Sequence, residues 1–333
     1  MNTDVLILGA GISGLHAARL LRAAGKSVIV LEKSRGLGGR AATRRWDNFP
    51  VDHGAQFFTA RSPEFSAQVA DWLGRGVCTE WTRGLHQYLD GSLHATAEGE
   101  PHPRYACPAG MSSLGRDLAG PDPGFVRRQT RAADVRLAGN GWLVTDEAGE
   151  EFRGRTLLVA TPPAQAAVLL RDACPEAAVR LDAVTMKPSL ALVVRYPRRP
   201  FAFCGIQAPH HPVLSWIGHD TSKRPDLHDG VTILVLHAAS AFSHKHYEGP
   251  EAGTKDAMLA AASEITGENL ATPEAMFLQR WRYAQAEDAA LEPDFLAIDA
   301  EAPLMVAGDA LAGGKIEGAW LSGRAAAEAL LRV

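Results

Sequence analysis

Three closely spaced glycines and a carboxylate downstream of them raise the first chemical question. In DVLILGAGISGLHAARLLRAAGKSVIVLEKS, Gly9, Gly11 and Gly14 follow the apolar run Val5 to Leu8 and open a helix-forming stretch. Gly9 permits a tight turn, Gly11 lets the backbone approach a pyrophosphate, and Gly14 lets a helix pack closely on a strand. Ala10, Ile12 and Ser13 belong to the same turn, where the N–H groups of a new helix attract phosphate. Glu32 ends the next apolar run, Val28 to Leu31, and Lys33 follows it. A carboxylate there accepts ribose hydroxyls and disfavours a 2′-phosphate, which points to FAD or NAD rather than NADP.

Positioning these groups requires a parallel sheet covered on both faces. Val5 to Leu8 reads as its first strand, the stretch through Leu21 as a helix that Gly25 ends, and Val28 to Leu31 as the next strand. TLLVATPPAQAAVLL adds a buried strand, a Pro162-Pro163 turn and a short helix. Val135 to Thr145 alternates around Gly139-Asn140-Gly141 as a hairpin does. SLALVVRYP, FAFCGIQAP, VLSWIGHDTS and VTILVLHAAS read as strands of a second, mixed or antiparallel sheet, with an amphipathic helix from Gly253. Further on, APLMVAGDALAGGKIEGAWLSG holds a strand at Leu304 to Ala307, then Gly308-Asp309, a Gly313-Gly314 turn and a helix from Ala319.

The segment KSRGLGGRAATRR resembles the continuation found in FAD enzymes of the amine-oxidase superfamily, above all at Gly38-Gly39-Arg40. That resemblance implies that Arg40 lies near the pyrophosphate or the flavin, with Gly39 giving the backbone room. Independently, a guanidinium pairs with phosphate as a two-pronged fork. In the resembling enzymes the stretch VDHGAQFF borders the isoalloxazine ring, which makes His53, Gly54, Ala55, Gln56 and Phe57 candidate neighbours of the cofactor. The GDALAGGKIEGAWLSG segment resembles the second FAD-binding motif of the same superfamily. There Gly308 and Asp309 reach ribityl or ribose hydroxyls, and the backbone of Lys315, Ile316, Glu317, Gly318 and Ala319 approaches the flavin pyrimidine edge. A helix N-terminus at that place stabilises negative charge on a reduced flavin.

A narrower resemblance runs over most of the chain. LSWIGHDTSKR, VLHAASAFSHKHYE and QRWRYAQAE, taken with GDALAGGKIEGAWLSG, look like a bacterial renalase-type flavoprotein. This resemblance implies noncovalent FAD and oxidation of 2- and 6-dihydronicotinamide isomers of NAD(P)H to β-NAD(P)+. Hydride would pass to flavin N5, and dioxygen would reoxidise the flavin to give hydrogen peroxide. Such a hydride donor regains aromaticity on oxidation and needs no nucleophile or dedicated base, so no side chain is assigned a catalytic role. Trp216, His237, His244, Arg280, Trp281 and Tyr283 are the candidates for the substrate pocket.

The expected architecture is α/β: a Rossmann-like FAD-binding fold with an inserted mixed α+β substrate domain of the amine-oxidase type. FAD-binding parts are expected at 1–60, 100–165 and 289–333, and substrate-domain parts at 61–99 and 166–288. A net charge of -4 with 22% charged residues gives no basic field for nucleic acid. No apolar run is long enough for a membrane span, and Asp4 precedes the first apolar stretch with glycine-rich sequence right after it, so a cytoplasmic location is expected; a monomer is expected as well. The four cysteines lack metal-ligand spacing, and the histidines do not compose a metal site. Two other functions fit the general FAD motifs: oxidation of a conventional amine, and ligand sensing by a weakly catalytic flavoprotein.

Overall fold

Runs such as Leu6–Leu8 and Leu157–Val159 are almost wholly buried, which only a sheet covered on both faces allows. The computed structural model describes residues 2–47, 49–95, 102–226, 230–287 and 294–332. The chain forms two compact units, one of 1–41, 112–186 and 285–333, the other of 42–111 and 187–284.

In the first unit, strand Asn2–Leu8 lies between Val28–Glu32 and Glu151–Val159, parallel to both. Val126–Arg128 extends the sheet in parallel beyond Val28–Glu32. Strand Glu151–Val159 is shared lengthwise. Its first half pairs antiparallel with Gly141–Asp146, part of the expected hairpin, and its second half pairs in parallel with Leu304–Ala307. Leu6, Leu8, Leu157 and Val159 pack with Ala166, Leu170 and Leu181 from helices Pro163–Leu170 and Pro175–Asp182. Helices Ile12–Ala23 and Lys315–Leu330 pack on each other, with Ser113–Ala119 beside the first. The last of these larger helices begins at Lys315, earlier than the Ala319 expected from helix propensity, because glycine-rich backbone supplies its first turn.

The second unit is built on a seven-stranded sheet. Its order is Ala275–Ala286, Met186–Pro197, Val231–Ala238, Leu214–His219, Gly205–Gln207, His86–Leu89 and Ser92–His94. The pairs from Met186–Pro197 across to Gly205–Gln207 are antiparallel, and Gly205–Gln207 meets His86–Leu89 in parallel, so the sheet is mixed. Leu192, Val194, Ile217, Leu234 and Leu236 face helix Glu251–Thr266 and its Met258 and Ala262. Alternation puts Val193, Trp216, Gly218, Val235 and His237 on the other face. Val51, from the hairpin Thr43–Trp46 and Phe49–Asp52, packs there on Val193 and Val235.

These units divide the chain at 41/42, 111/112, 186/187 and 284/285, whereas the sequence reading divided it at 60/61, 99/100, 165/166 and 288/289. The hairpin goes with the second unit because Asp52 is buried among that unit's charged residues. The 99/100 and 288/289 divisions fall on residues outside the described ones. Residues 240–246 form helix Ser240–His246, which carries His244 and His246. Among the described residues no helix is long and apolar enough to cross a membrane.

Candidate functional site

The glycine turn of the first unit is packed against backbone on one side and open on the other. Gly9 has φ +105°, and a Cβ there would lie 2.8 Å from the Ala160 carbonyl oxygen. A Cβ on Gly14 would lie 2.1 Å from the Gly9 carbonyl oxygen. Neither position accepts a side chain, as strand-to-helix packing demands. Gly11, by contrast, has no neighbour within 4 Å of where its Cβ would stand. It is also the N-cap of helix Ile12–Ala23, which has no side-chain cap and no acidic residue in its first turn. Two buried hydroxyls around this turn, Ser13 Oγ and Thr161 Oγ1, have no hydrogen-bond partner in the protein. An open glycine, uncapped helix N–H groups and orphaned hydroxyls together fit a phosphate-bearing ligand.

Glu32 has a second task that sequence spacing did not reveal. Its Oε2 accepts from the Ala10 N–H at 2.8 Å and its Oε1 from the Ser34 N–H at 2.7 Å. The carboxylate thus ties the glycine turn to the end of its strand, and its remaining lone pairs are what a ribose would meet. Lys33 lines an open groove of about 430 Å³ with Ser34, Gln129, Arg131, Asp146, Glu147 and Ala148.

Arg40 and Asp309, expected separately at a cofactor, are brought together as an ion pair through both guanidinium nitrogens. Gly38, at φ +100°, and Gly39, at φ +59°, make the loop that carries Arg40. Gly115 holds that loop in place, since a Cβ on it would come within 2.5 Å of Gly38 N. Gly115 carries no motif of its own, which is why sequence reasoning missed it. Gly308 donates to Ser322 Oγ at 2.8 Å, and Gly314 N–H to the Asp309 carbonyl at 2.7 Å. Gly313, Gly314 and Lys315 all have φ near +70°, at 75°, 77° and 65°. Helix Lys315–Leu330 starts at Gly314, which gives no side-chain cap, and the Gly318 N–H donates to the Gly314 carbonyl at 3.2 Å. Ser13 and Gly323 then join the two glycine-bearing helices: a Cβ on Gly323 would stand 2.2 Å from the Ser13 carbonyl oxygen.

The other cofactor candidates lie in the second unit. His53 stacks on Trp281 at 5.4 Å, and the Trp281 indole N–H donates to the His53 carbonyl at 2.9 Å. Phe57 lies 5.5 Å from Trp216 and 6.1 Å from Trp81. Trp216 sits opposite His237 in the ladder, so the two side chains are neighbours on one face. Burial pushes both His53 and His237 down to about 4, leaving the imidazoles neutral near pH 7. His53 Nδ1, His237 Nε2 and Trp216 Nε1 are buried atoms without a hydrogen-bond partner. Tyr283 shares the strand face of Trp281 by alternation.

Arg280 and His244 complete the expected pocket residues. Arg280 donates to the Tyr247 carbonyl at 2.8 Å and the Gly249 carbonyl at 3.0 Å, anchoring the turn before helix Glu251–Thr266. His244 is exposed on helix Ser240–His246. Arg280 thus ties its strand to that turn.

Sequence reasoning also missed a buried charge quartet of Asp52, Asp220, Lys223 and Arg224, each side chain 0% exposed. Lys223 bridges Asp220 at 2.9 Å and Asp52 at 3.4 Å, while Arg224 binds Asp220 at 2.7 Å and also Asp52. Asp52 Oδ1 further accepts from Thr43 Oγ1 and the Met111 N–H. Desolvation works against the Asp52 carboxylate, yet the cations of Lys223 and Arg224 hold its pKa below the ordinary value. The consecutive Lys223-Arg224, three and four residues after Asp220, was the available signal. Among the described residues no group of three or more His, Cys, Asp or Glu could hold a metal ion.

Comparisons with known proteins agree with this geometry. Residues 7–72 match the model of an NAD(P)-binding Rossmann-like domain, and residues 71–331 that of flavin containing amine oxidoreductase. Putrescine oxidase of Kocuria rosea is 39% identical over 93 residues, and (S)-6-hydroxynicotine oxidase of Paenarthrobacter nicotinovorans is 51% identical over 89. These matches take in 27% and 25% of this chain and only 19% and 21% of those relatives. A solved putrescine oxidase variant superposes with a TM-score of 0.78 at 14% identity, covering 100% of this chain and 99% of that one. Cyclohexylamine oxidase from Brevibacterium oxydans gives 0.77 at 15%, with the same coverage. The chain, then, belongs to the flavin-containing amine oxidoreductase family, and FAD is its cofactor.

Proposed function

We propose that this chain binds FAD noncovalently and oxidises 2- and/or 6-dihydronicotinamide isomers of NAD(P)H to β-NAD(P)+. The supporting observation is the neutral polar lining of the aromatic face in the second unit. Trp216, His53 and His237 each bury a nitrogen that no protein group satisfies, and both histidines stay uncharged to about pH 4. The carboxylates of Asp52 and Asp220 are taken up by Lys223 and Arg224 and do not serve an ammonium group. A planar, uncharged ring with a polar substituent suits such a lining better than a polyamine does.

In the first unit, the N–H groups around Gly11 and Ile12 receive the pyrophosphate of FAD and Glu32 a ribose. Arg40 and Asp309 present a paired fork and carboxylate to phosphate and hydroxyl groups. The uncapped start of helix Lys315–Leu330 favours negative charge. When bound, the flavin supplies a hydride acceptor whose electrons dioxygen then removes as hydrogen peroxide. The side chains of the second unit bind and orient the donor, and none has to abstract a proton, because loss of hydride alone restores the pyridine ring.

A second reading, oxidation of an amine, draws on the family description and on the likeness to putrescine oxidase and (S)-6-hydroxynicotine oxidase. One anaerobic titration separates the two. FAD-loaded protein is mixed with the 2- and 6-dihydronicotinamide isomers, ordinary β-NADH and a panel of amines, then exposed to air. Bleaching of the flavin by an isomer, with β-NAD(P)+ as product and recovery in oxygen, is expected. Rapid bleaching by an amine, with both isomers inert, sinks the proposal in favour of the second reading.

A further inference from the structure

Three successive carbonyls at the end of strand Phe49–Asp52 are each taken by a side chain. Gln56 Nε2 donates to the Asp52 carbonyl at 2.5 Å and to the Gly54 carbonyl at 3.1 Å. Between them, the His53 carbonyl accepts the Trp281 indole N–H at 2.9 Å. The His53 N–H in turn donates to the Ala42 carbonyl at 3.2 Å. A turn whose backbone groups are met in this way has little freedom to move.

Gln56 is itself locked. Its side chain is buried, and a buried carboxamide is tolerated only where its donors and acceptor are satisfied. Both N–H bonds close on its own turn, and Oε1 accepts from Lys223 Nζ at 3.2 Å, so the amide cannot turn over. Lys223 is fully buried and fixed by Asp52 and Asp220. The buried charge quartet thereby reaches the turn through one neutral side chain. The rings on either side of Gln56 in sequence belong to the aromatic face. His53 stacks on Trp281, and Phe57 lies beside Trp216 and Trp81. Trp81 is held by the short helix Asp220–Lys223: its indole N–H donates to Ser222 Oγ at 2.9 Å, and Lys223 Nζ stands 5.5 Å from its ring centroid.

From this arrangement we infer that Gln56 is a positioning residue for flavin reduction: its amide, anchored on Lys223, fixes the turn that carries His53 and Phe57 and so sets the pose of the hydride donor on the aromatic face. The inference rests on the dihydronicotinamide reading and adds the group that aligns the donor. Alignment matters most in the transition state, because hydride transfer tolerates little displacement of the donor carbon. A carboxylate at this position keeps the Lys223 contact and loses both donated bonds. A thioether of similar length keeps the volume and loses all three.

Anaerobic stopped-flow reduction of FAD-loaded protein by a dihydronicotinamide isomer tests this, read as a limiting rate and a half-saturating concentration. Gln56→Met and Gln56→Glu should each lower the limiting rate roughly ten- to hundredfold, while the half-saturating concentration changes by less than about threefold. A merely structural amide would lower the melting temperature and leave the rate of the folded, FAD-loaded fraction unchanged. Limiting rates equal to that of the unmodified protein would overturn the positioning role and leave the function standing. An unchanged rate in Gln56→Glu alone does the same, since that variant lacks both bonds to the carbonyls. Failure of both variants to fold assigns Gln56 to the framework and equally overturns the role. If the unmodified protein is inert to both isomers and an amine bleaches the flavin, the function and the positioning role fall together.

Discussion

Arg40 and Asp309 meet fork to carboxylate, Nη1 to Oδ2 at 3.2 Å and Nη2 to Oδ1 at 2.5 Å, although 269 residues separate them. The carboxylate is 10% exposed and the guanidinium 30%, so the pair is sheltered on one side only. Each partner fixes the rotamer of the other, which prepares both for a ligand without ordering cost at binding. Arg40→Ala and Asp309→Ala should each weaken FAD by roughly ten- to a hundredfold, matching about 1.5–3 kcal/mol for charged hydrogen bonds. The double variant should lose little more than either single one. Flavin fluorescence released on dilution measures all three.

The glycine turn separates folding from cofactor binding. Gly14→Ala forces a methyl into the Gly9 carbonyl and should destabilise the apoprotein by about 1–3 kcal/mol. Gly11→Ala meets open space, so its apoprotein should melt where the unmodified apoprotein does and yet fail to retain FAD. Thermal melts of flavin-stripped protein, together with flavin content after reconstitution, test the contrast.

Lys223→Met should be severe. It leaves Asp52 and Asp220 sharing one Arg224 at full burial, and breaking such a pair costs about 3–5 kcal/mol. Urea denaturation reads the loss. A similar loss should follow Asp220→Asn, since it frees a lysine and an arginine from the same carboxylate.

The pH dependence has a definite sign. Burial pushes His16 down to about 4 in spite of its hydrogen bond to the Trp320 carbonyl, and His53 and His237 are pushed down likewise. An unfolded histidine titrates near 6.5, so between about 6.5 and 4 the unfolded chain binds more protons than the folded one. Their contribution is fully present above pH 6.5 and is lost as pH falls toward 4. Melting temperature should drop steadily through that window, and less steeply in His16→Gln. The rate of anaerobic flavin reduction by a nicotinamide isomer should stay flat from pH 6 to 8, since neither His53 nor His237 titrates there.

What sequence could disclose depended on whether the information was local. The turn at Gly9, Gly11 and Gly14 and the strand ending in Glu32 were legible because a strand, tight turn and helix are written in contiguous residues. The strand Leu304–Ala307 and the strands of the second sheet were legible as short apolar runs. The Arg40–Asp309 pair was not, since each residue alone is an ordinary polar group in a glycine-rich loop. Nor was the hold on Gln56, whose partner Lys223 stands 167 positions away. Asp52 drew no notice in the sequence, because its partners Lys223 and Arg224 lie 171 and 172 positions away.

The contact of Gly323 with the Ser13 backbone joins helices whose facing residues His16 and Trp320 stand 304 positions apart. A nascent chain emerging from the ribosome holds the phosphate turn long before its opposing helix exists. A chain cut short before residue 315 keeps the glycine turn but lacks the helix that packs against it.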